Sequence, residues 1–243
     1  MTSVSVIIPA KNEARYLPGL LAALKTQTYQ PLEIILADAT STDNTRQIAE
    51  AAGCKVVAGG LPGAGRNSGA AVATGELLLF LDADAQITDT RFLELAVTEM
   101  QQKNFAIATP DIRLQGGNWA DRFGHALYNL YVRAWGARRP HAPGFCIFIT
   151  RALFEKIKGF DESIKLAEDH ELAMRAGKLG TFGFLNTVTI AVTDRRFRRD
   201  GSFKIAGKYV LAELHMFFLG PIRHDYFHYD FGYDEETRTN RQE

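Results

Sequence analysis

Short apolar runs alternate with amphipathic stretches through the first hundred residues. Val4 to Ile8 is β-branched and closed by Pro9, the pattern of a strand buried on both faces. Beyond it Leu17, Leu20, Leu21 and Leu24 recur at i, i+3, i+4 and i+7, which lines one face of a helix with Pro18 near its start and Asn12 as its expected N-cap. Glu33 to Ala37 predicts a second strand. The polar TSTDNT segment then caps a helix running through Ile48 and Ala52, Gly53 ends it, and Lys55 to Ala58 predicts a third strand. Gly59 to Gly69 holds five glycines and one proline and reads as a loop, followed by a small, helix-tolerant stretch from Asn67 to Thr74. Leu77 to Leu81 is the most apolar run, and Asp82-Ala83-Asp84 follows it directly. A helix with Phe92, Leu95 and Ala96 on one side comes next.

This β-α-β-α-β-α-β-α order predicts an α/β domain with a mostly parallel central sheet, helices on both faces, and ligands at the carboxyl ends of the strands. Asp38 and Asp82 both fall at such ends. The second half is less regular. It holds a long aromatic helix from Trp119 to Trp135, an Arg-Arg-Pro loop, a strand from Phe145 to Ile149, a short helix from Arg151, a Gly-Phe-Asp turn at 159–161 and a helix beginning near Glu168. Thr187 to Thr193 alternates as a strand, and Lys204 to Leu219 is amphipathic. Trp119, Tyr128, Tyr131 and Trp135 recur at helical spacing and are expected mostly in the core. No linker, repeat or low-complexity tract interrupts the chain. The expectation is one domain over 1–243, with parts at 1–110 and 111–220 and a polar, aromatic tail at 221–243.

Composition changes this picture little. The chain has 243 residues, 46% of them hydrophobic and 23% charged, values that exclude a disordered, collagen-like or heptad-repeat protein. Twenty-eight basic residues cancel 28 acidic ones, so no overall field would gather nucleic acid. Cys54 and Cys146 lie in apolar runs, too few for a disulfide scaffold, and are expected as buried reduced thiols. The opening MTSVSVIIPAKNE has a five-residue apolar stretch without a basic flank, so neither a signal peptide nor a targeting helix is expected. No run approaches the roughly eighteen apolar residues of a membrane span. The expectation is a cytoplasmic protein, at most resting on the inner face of a membrane.

Asp82-Ala83-Asp84 is the first chemical candidate. Two carboxylates so close repel unless a cation or donors hold them, and hard oxygen ligands suit Mg²⁺ or Mn²⁺ on a diphosphate. Helix capping explains the same residues more plainly. Glu168-Asp169-His170 opens a later helix, where the acids could equally be caps.

Four segments stand in one order and spacing: VSVIIPAKNEARYLPGLLAAL, EIILADATSTDNT, GAGRNSGAAVATGELLLFLDADA and AEDHELAMR. Together they resemble the family 2 glycosyltransferases of the GT-A fold over residues 3–180, which implies a nucleotide-sugar-binding half at 1–110 and an acceptor half at 111–220. The resemblance implies that Pro9, Ala10 and Glu13 line a nucleotide pocket, that Asp38 hydrogen-bonds the nucleobase, and that Arg66 approaches the nucleotide. Where many relatives place two acids or glycines near Asp38, this chain has Ala37, Ala39 and Thr40. Asp82 is implied at the ribose or donor sugar and Asp84 at the metal, Mn²⁺ or Mg²⁺. The donor implied is a nucleoside diphosphate sugar, UDP or GDP foremost. Asp169 is implied as the base that removes the acceptor hydroxyl proton, with Glu168 beside it, and Gly144 as part of the acceptor site.

From Asp194 to Lys208 six basic residues meet two acidic ones. Arg195, Arg196, Arg198 and Arg199 make an oxyanion or phosphate site, or simply a solvated basic face. The segment also resembles the basic loop of members that glycosylate polyprenyl phosphates, although Gly201-Ser202-Phe203-Lys204 departs from their usual order. Joined to the aromatic stretch from Tyr209 to Leu219, it fits a peripheral membrane contact, a helix packed on the domain, or an oligomer face. His215, His224 and His228 lie where relatives of this fold sometimes supply a third metal ligand, but lone histidines are usually structural or exposed and none is expected to be a ligand.

The reading is a metal-dependent, inverting glycosyltransferase acting on a hydroxyl of a glycan, lipid or small molecule, with no nucleic acid partner. A polyprenyl-phosphate glycosyltransferase and a non-catalytic sugar-nucleotide or glycan-binding protein are the alternatives. Gly63-Ala-Gly65-Arg-Asn-Ser-Gly69 lacks the spacing and preceding strand of a dinucleotide-binding turn. PAKNEARY after the first strand lacks the glycine cluster of a nucleotidyltransferase.

Overall fold

A computed structural model describes residues 2–60, 62–116, 119–194 and 201–224. Seven strands form one sheet: β1 (Val4–Ala10), β2 (Glu33–Asp38), β3 (Lys55–Ala58), β4 (Leu77–Leu81), β5 (Ile107–Gln115), β6 (Cys146–Thr150) and β7 (Phe182–Thr193), in the order β3-β2-β1-β4-β6-β5-β7. β1 pairs in parallel with β2 and β4, β2 with β3, and β5 with β7. Only β6 runs against its neighbours β4 and β5. The expected α/β, mostly parallel architecture is therefore present, with one reversed strand that brings its own start beside the carboxyl end of β4.

The helices are α1 (Leu17–Lys25), α2 (Thr45–Ala51), α3 (Pro62–Val72), α4 (Phe92–Gln102), α5 (Trp119–Trp135), α6 (Arg151–Lys156), α7 (Glu168–Gly177) and α8 (Ser202–Phe218). Side chains alternate across the sheet and so build two cores. Val4, Val6, Ile8, Leu79 and Leu81 pack with the buried leucines of α1 and with Phe92, Ala96 and Met100 of α4. Ile7, Leu78 and Phe80 face the other way, against Ala70 of α3, Leu153 and Phe154 of α6 and Leu172 of α7. Phe80 meets Phe154 and Phe160 at ring-centroid distances of 5.4 and 5.2 Å, which locks the turn leading to α7 onto β4.

Several elements differ from expectation. Asn12 does not cap α1, which starts at Leu17; it has φ +55° and belongs to the β1–α1 turn. The glycine-rich stretch from Gly59 is helix from Pro62, not loop. The glycines serve packing there: a Cβ at Gly69 would lie 2.4 Å from Ile7 Cγ2, so only glycine lets α3 approach β1 this closely. β5 has no counterpart among the expected strands, because Pro110, Asp111 and Arg113 interrupt its apolar pattern. β7 begins five residues earlier than expected, at Phe182. Cys146 is buried but Cys54 only half-buried, and both are free. α5 turns Trp119, Tyr131 and Trp135 outward, contrary to the expected core placement, and keeps Val132 inside.

Candidate active site

The turns leaving β1 and β2 are bonded to each other. Asn12 N–H donates to the Ser41 hydroxyl at 2.9 Å, and Asn12 Oδ1 accepts Thr42 N–H at 2.8 Å. Glu13 N–H donates to Thr45 Oγ1 at 2.7 Å and Ala14 N–H to Asp43 at 3.0 Å. Burial opposes the charge on Asp43, but donors from Thr45 and Ala14 outweigh it and hold its pKa below the usual carboxylate value. Asp38 ends β2 and pairs with Ala10 and Ala58 in register. Its carboxylate accepts Ser41 N–H at 3.3 Å, and the residue is almost fully buried. Pro9, Ala10, Glu13 and Asp38 thus share one strand-end corner.

Arg66, on α3, lies at the centre of the other half. It is 3% exposed. Nη1 donates to Glu168 Oε1 at 2.7 Å, while Nη2 donates to Asp82 Oδ1 at 2.9 Å and to the Gly144 carbonyl at 3.3 Å. Its guanidinium carbon lies 5.4 Å from the centroid of Phe160, and Nε has no hydrogen-bond partner. Two acids and a carbonyl around one cation explain why an arginine can be buried here. The guanidinium joins the end of β4 to the start of α7, two elements 86 residues apart as measured from Asp82 to Glu168.

Asp169 sits one residue beyond Glu168. Its Oδ2 accepts Gly144 N–H at 2.5 Å and its Oδ1 accepts His170 N–H at 2.8 Å. Burial, then the neighbouring Asp169, push the Glu168 pKa up, and Arg66 opposes them. Ala167, the residue before α7, has φ +63°, a left-handed conformation that a side chain disfavours and that aims both acids inward. Gly144 is required by space: a Cβ there would lie 2.6 Å from Arg66 Nη2 and 3.1 Å from Asp169 Oδ2. Gly144→Ala is therefore expected to displace the guanidinium and to destabilise the fold by about 1–3 kcal/mol, the usual cost of overpacking, read as a lower Tm in circular-dichroism melting.

Asp84 is 6% exposed, and Thr193 Oγ1 at the end of β7 donates to it at 3.0 Å. A two-way backbone bridge between Gln86 and Ala191 holds the acidic turn against β7. Among the described residues no group of three or more His, Cys, Asp or Glu forms a complete metal cage. A hard divalent ion that keeps waters and shares a diphosphate needs only one or two protein carboxylates, and the Asp82-Asp84 turn supplies that donor chemistry. Arg195, Arg196, Arg198 and Arg199 lie outside the described residues, as does His228. His215 Nδ1 is 3.1 Å from the Gly220 carbonyl, within hydrogen-bond reach, a structural role as expected.

Behind Asp169 lies a polar group that the sequence did not announce. His170 Nε2 is 3.3 Å from the Tyr128 hydroxyl, its ring stacks edge-on with His141 at 5.0 Å, and His141 Nε2 reaches Glu213 at 3.3 Å. Burial pushes the His170 pKa down, and the nearby Asp169 opposes this. The signal was Glu213, the one acid in the run from Tyr209 to Leu219.

Residues 5–158 match the family model described as Glycosyl transferase family 2. Among curated proteins, the 4,4'-diaponeurosporenoate glycosyltransferase of Staphylococcus haemolyticus is 33% identical over 112 residues, 42% of this chain and 30% of the relative. The glycosyltransferase GlyG of Streptococcus pneumoniae is 34% identical over 42% of this chain and 36% of its own length. The chain thus spans about a third of the length of such relatives. In fold, S. aureus TarS in complex with UDP superposes with a TM-score of 0.63 at 20% identity, covering 98% of this chain and 78% of that one. The mannosyltransferase PcManGT of Pyrobaculum calidifontis in complex with GDP-Man and Mn²⁺ gives 0.64 at 21%, covering 86% and 64%. With the motifs in order, the strand-end site assembled and more than half of the sequence within the family model, the chain belongs to glycosyl transferase family 2.

Proposed function

We propose that this protein transfers a sugar, with inversion, from a nucleoside diphosphate donor to an acceptor hydroxyl. The observation that carries the reading is the single hydrogen-bonded network that runs from Asp82 through Arg66 to Glu168 and through Gly144 to Asp169. Donor-side and acceptor-side acids are held in fixed relation by buried partners, which is what transfer between two bound substrates demands. The names of similar proteins point the same way: TarS has been solved with UDP-GlcNAc and PcManGT with GDP-Man and Mn²⁺.

Asp38 and the β1–α1 turn receive the nucleoside. Asp82 orients the ribose or donor sugar, and Arg66, bonded to Asp82, approaches the nucleotide. Asp84 would hold a divalent cation, which when bound would supply Lewis acidity to the departing diphosphate. Asp169 takes the proton from the acceptor hydroxyl as its oxygen bonds to the anomeric carbon. The bond from that carbon to the phosphate oxygen breaks, and the nucleoside diphosphate leaves with the electron pair. Glu168, beside Asp169, anchors the start of α7 to Arg66.

Calorimetric titration of UDP and GDP, first with Mn²⁺ and then with excess chelator, tests this reading. Metal-dependent binding of one nucleotide is expected. Asp84→Ala is expected to weaken it by at least about tenfold, because even the outer partners of metal ligands cost that much. Equal affinity with and without chelator, or in the variant, would remove the cation from the site.

A further inference from the structure

We infer that His170 is a positioning residue for Asp169: Tyr128 holds its imidazole in the tautomer that turns Nδ1–H toward the acid, and His141 holds its ring in place. The inference rests on the transferase reading above, in which Asp169 is the acceptor-side base. Two backbone donors orient that carboxylate, Gly144 N–H on Oδ2 at 2.5 Å and His170 N–H on Oδ1 at 2.8 Å. Gly144 is fixed in turn by Arg66, whose Nη2 donates to its carbonyl. The second donor is fixed through the side chain of the residue that carries it. His170 is the third residue of α7, where the N–H has no partner within the helix, so the acid can take it. Its Nε2 lies 3.3 Å from the Tyr128 hydroxyl on α5, and its ring meets that of His141 edge-on at 5.0 Å.

The tautomer follows from the partners. A neutral imidazole donates from one ring nitrogen and accepts at the other. Burial holds the His170 pKa below its ordinary 6.5, with His141 and Arg139 acting the same way against Asp169 and Glu213, so the ring is neutral at pH 7. Burial, then Asp169, push the Tyr128 phenol well above its ordinary 10, so its hydroxyl keeps a proton to donate. Nδ1 of His170 is buried without a hydrogen-bond partner and lies 4.0 Å from Asp169 Oδ1. A lone pair at that nitrogen would face the carboxylate and be repelled, whereas an N–H there is attracted. Donation from Tyr128 to Nε2 leaves the ring proton on Nδ1.

His141 supplies the wall behind the ring. It is 1% exposed, with Nδ1 2.6 Å from the Arg139 carbonyl and Nε2 3.3 Å from the Glu213 carboxylate on α8. Both of those oxygens are acceptors, so His141 directs its donors to them and meets His170 by ring contact. Glu213 is held in turn by the Tyr131 hydroxyl, which donates to it at 3.3 Å, and by Arg139 at 3.9 Å. α5, α7, α8 and the segment before β6 therefore converge behind the acid. A buried polar network of this kind fixes one arrangement of its members, and here it ends on the residue whose N–H holds Asp169.

Nitrogen-15 NMR of the full chain tests the inference, with the His170 ring signals assigned by their loss in His170→Leu. At pH 7 the ring is expected to be neutral and protonated on Nδ1. The Gly144 amide proton, which its bond to Asp169 shifts downfield, is expected to move upfield in His170→Leu. It should return in His170→Asn, whose side-chain N–H can stand where Nδ1–H stood. Tyr128→Phe removes one hydroxyl and keeps the ring; it should move the same resonance the same way, and serves if His170→Leu fails to fold. Hydrolysis of UDP-GlcNAc or GDP-Man with Mn²⁺, water being the acceptor, is expected to fall about tenfold in kcat in His170→Leu with the donor KM unchanged, since small misplacements of reacting groups are costly. A ring protonated on Nε2 overturns the proposal, as does a Gly144 amide unmoved in the folded variants, or measurable turnover equal in wild type and His170→Leu. Where water is too poor an acceptor for turnover, the two resonances decide. They need no substrate, so their failure leaves the transferase reading standing. Absence of metal-dependent nucleotide binding, with the resonances as expected, would strike that reading instead.

Discussion

Asp169→Asn is expected to retain donor binding and to lose between about 10² and 10⁴ in kcat, the usual contribution of a positioned general base. Asparagine is the informative replacement because it keeps the shape of Asp169, and its one carbonyl oxygen can still accept one of the two N–H groups, Gly144 at 2.5 Å on Oδ2 or His170 at 2.8 Å on Oδ1. Shape is kept while proton affinity and one hydrogen bond are removed. Single-turnover transfer with bound donor, compared with nucleotide titration of the same protein, separates the two. Full activity toward a hydroxyl acceptor would reduce Asp169 to a helix cap. Activity retained only toward a lipid phosphate would favour the polyprenyl-phosphate alternative, since that acceptor, with a second pKa of about 6, needs no base.

Arg66→Met should be the most destabilising single change in the site. It removes the cation between Glu168 and Asp82, at 2.7 and 2.9 Å, and leaves a buried acid beside Asp169 without that partner. Breaking such a pair costs about 3–5 kcal/mol, which for a chain of this size lowers Tm by on the order of 10 °C. The pH dependence has a definite sign. Without the guanidinium, the Glu168 pKa rises further above its ordinary value of 4.5, so the folded state holds a proton that the unfolded state releases. The deficit is therefore full at neutral pH and shrinks as pH falls toward 4.5. Glu168→Gln added to Arg66→Met should recover part of the loss, with a coupling of about 0.5–3 kcal/mol. Additive effects of the two substitutions would mean that the ion pair does not hold α7 to β4.

The first half of the fold was legible because its strands are continuous apolar runs and its helices carry leucines at helical spacing. Both are local patterns. β5 was not, because Pro110, Asp111 and Arg113 break its apolar pattern, and its place in the sheet comes from pairing with β7, whose partners lie about 75 residues away. α3 was misread for a related reason. Gly63, Gly65 and Gly69 look like loop residues in isolation, and only the approach to Ile7 shows why a helix uses them.

In the site, the acids announced themselves. Asp38, Asp82, Asp84, Glu168 and Asp169 stand at the ends of strands or the start of a helix that the sequence marks clearly. Their mutual bonds did not, because Arg66, Gly144 and Asp169 meet only when α3, β6 and α7 are packed on the same edge of the sheet.

What the sequence determined by itself was the set of elements with strong local periodicity, the family, and the residue types available for chemistry. The tertiary structure decided which of those residues share one network, and which apolar side chains remain outside. Periodicity shows that a helix has an apolar face but not where that face points. α5 and α1 both have one; α1 buries its leucines against the sheet, whereas α5 packs through Val132 and Tyr128 and leaves its larger stripe to solvent. The choice is made by the surface available once β5 and β7 are paired, a long-range property that no local pattern carries.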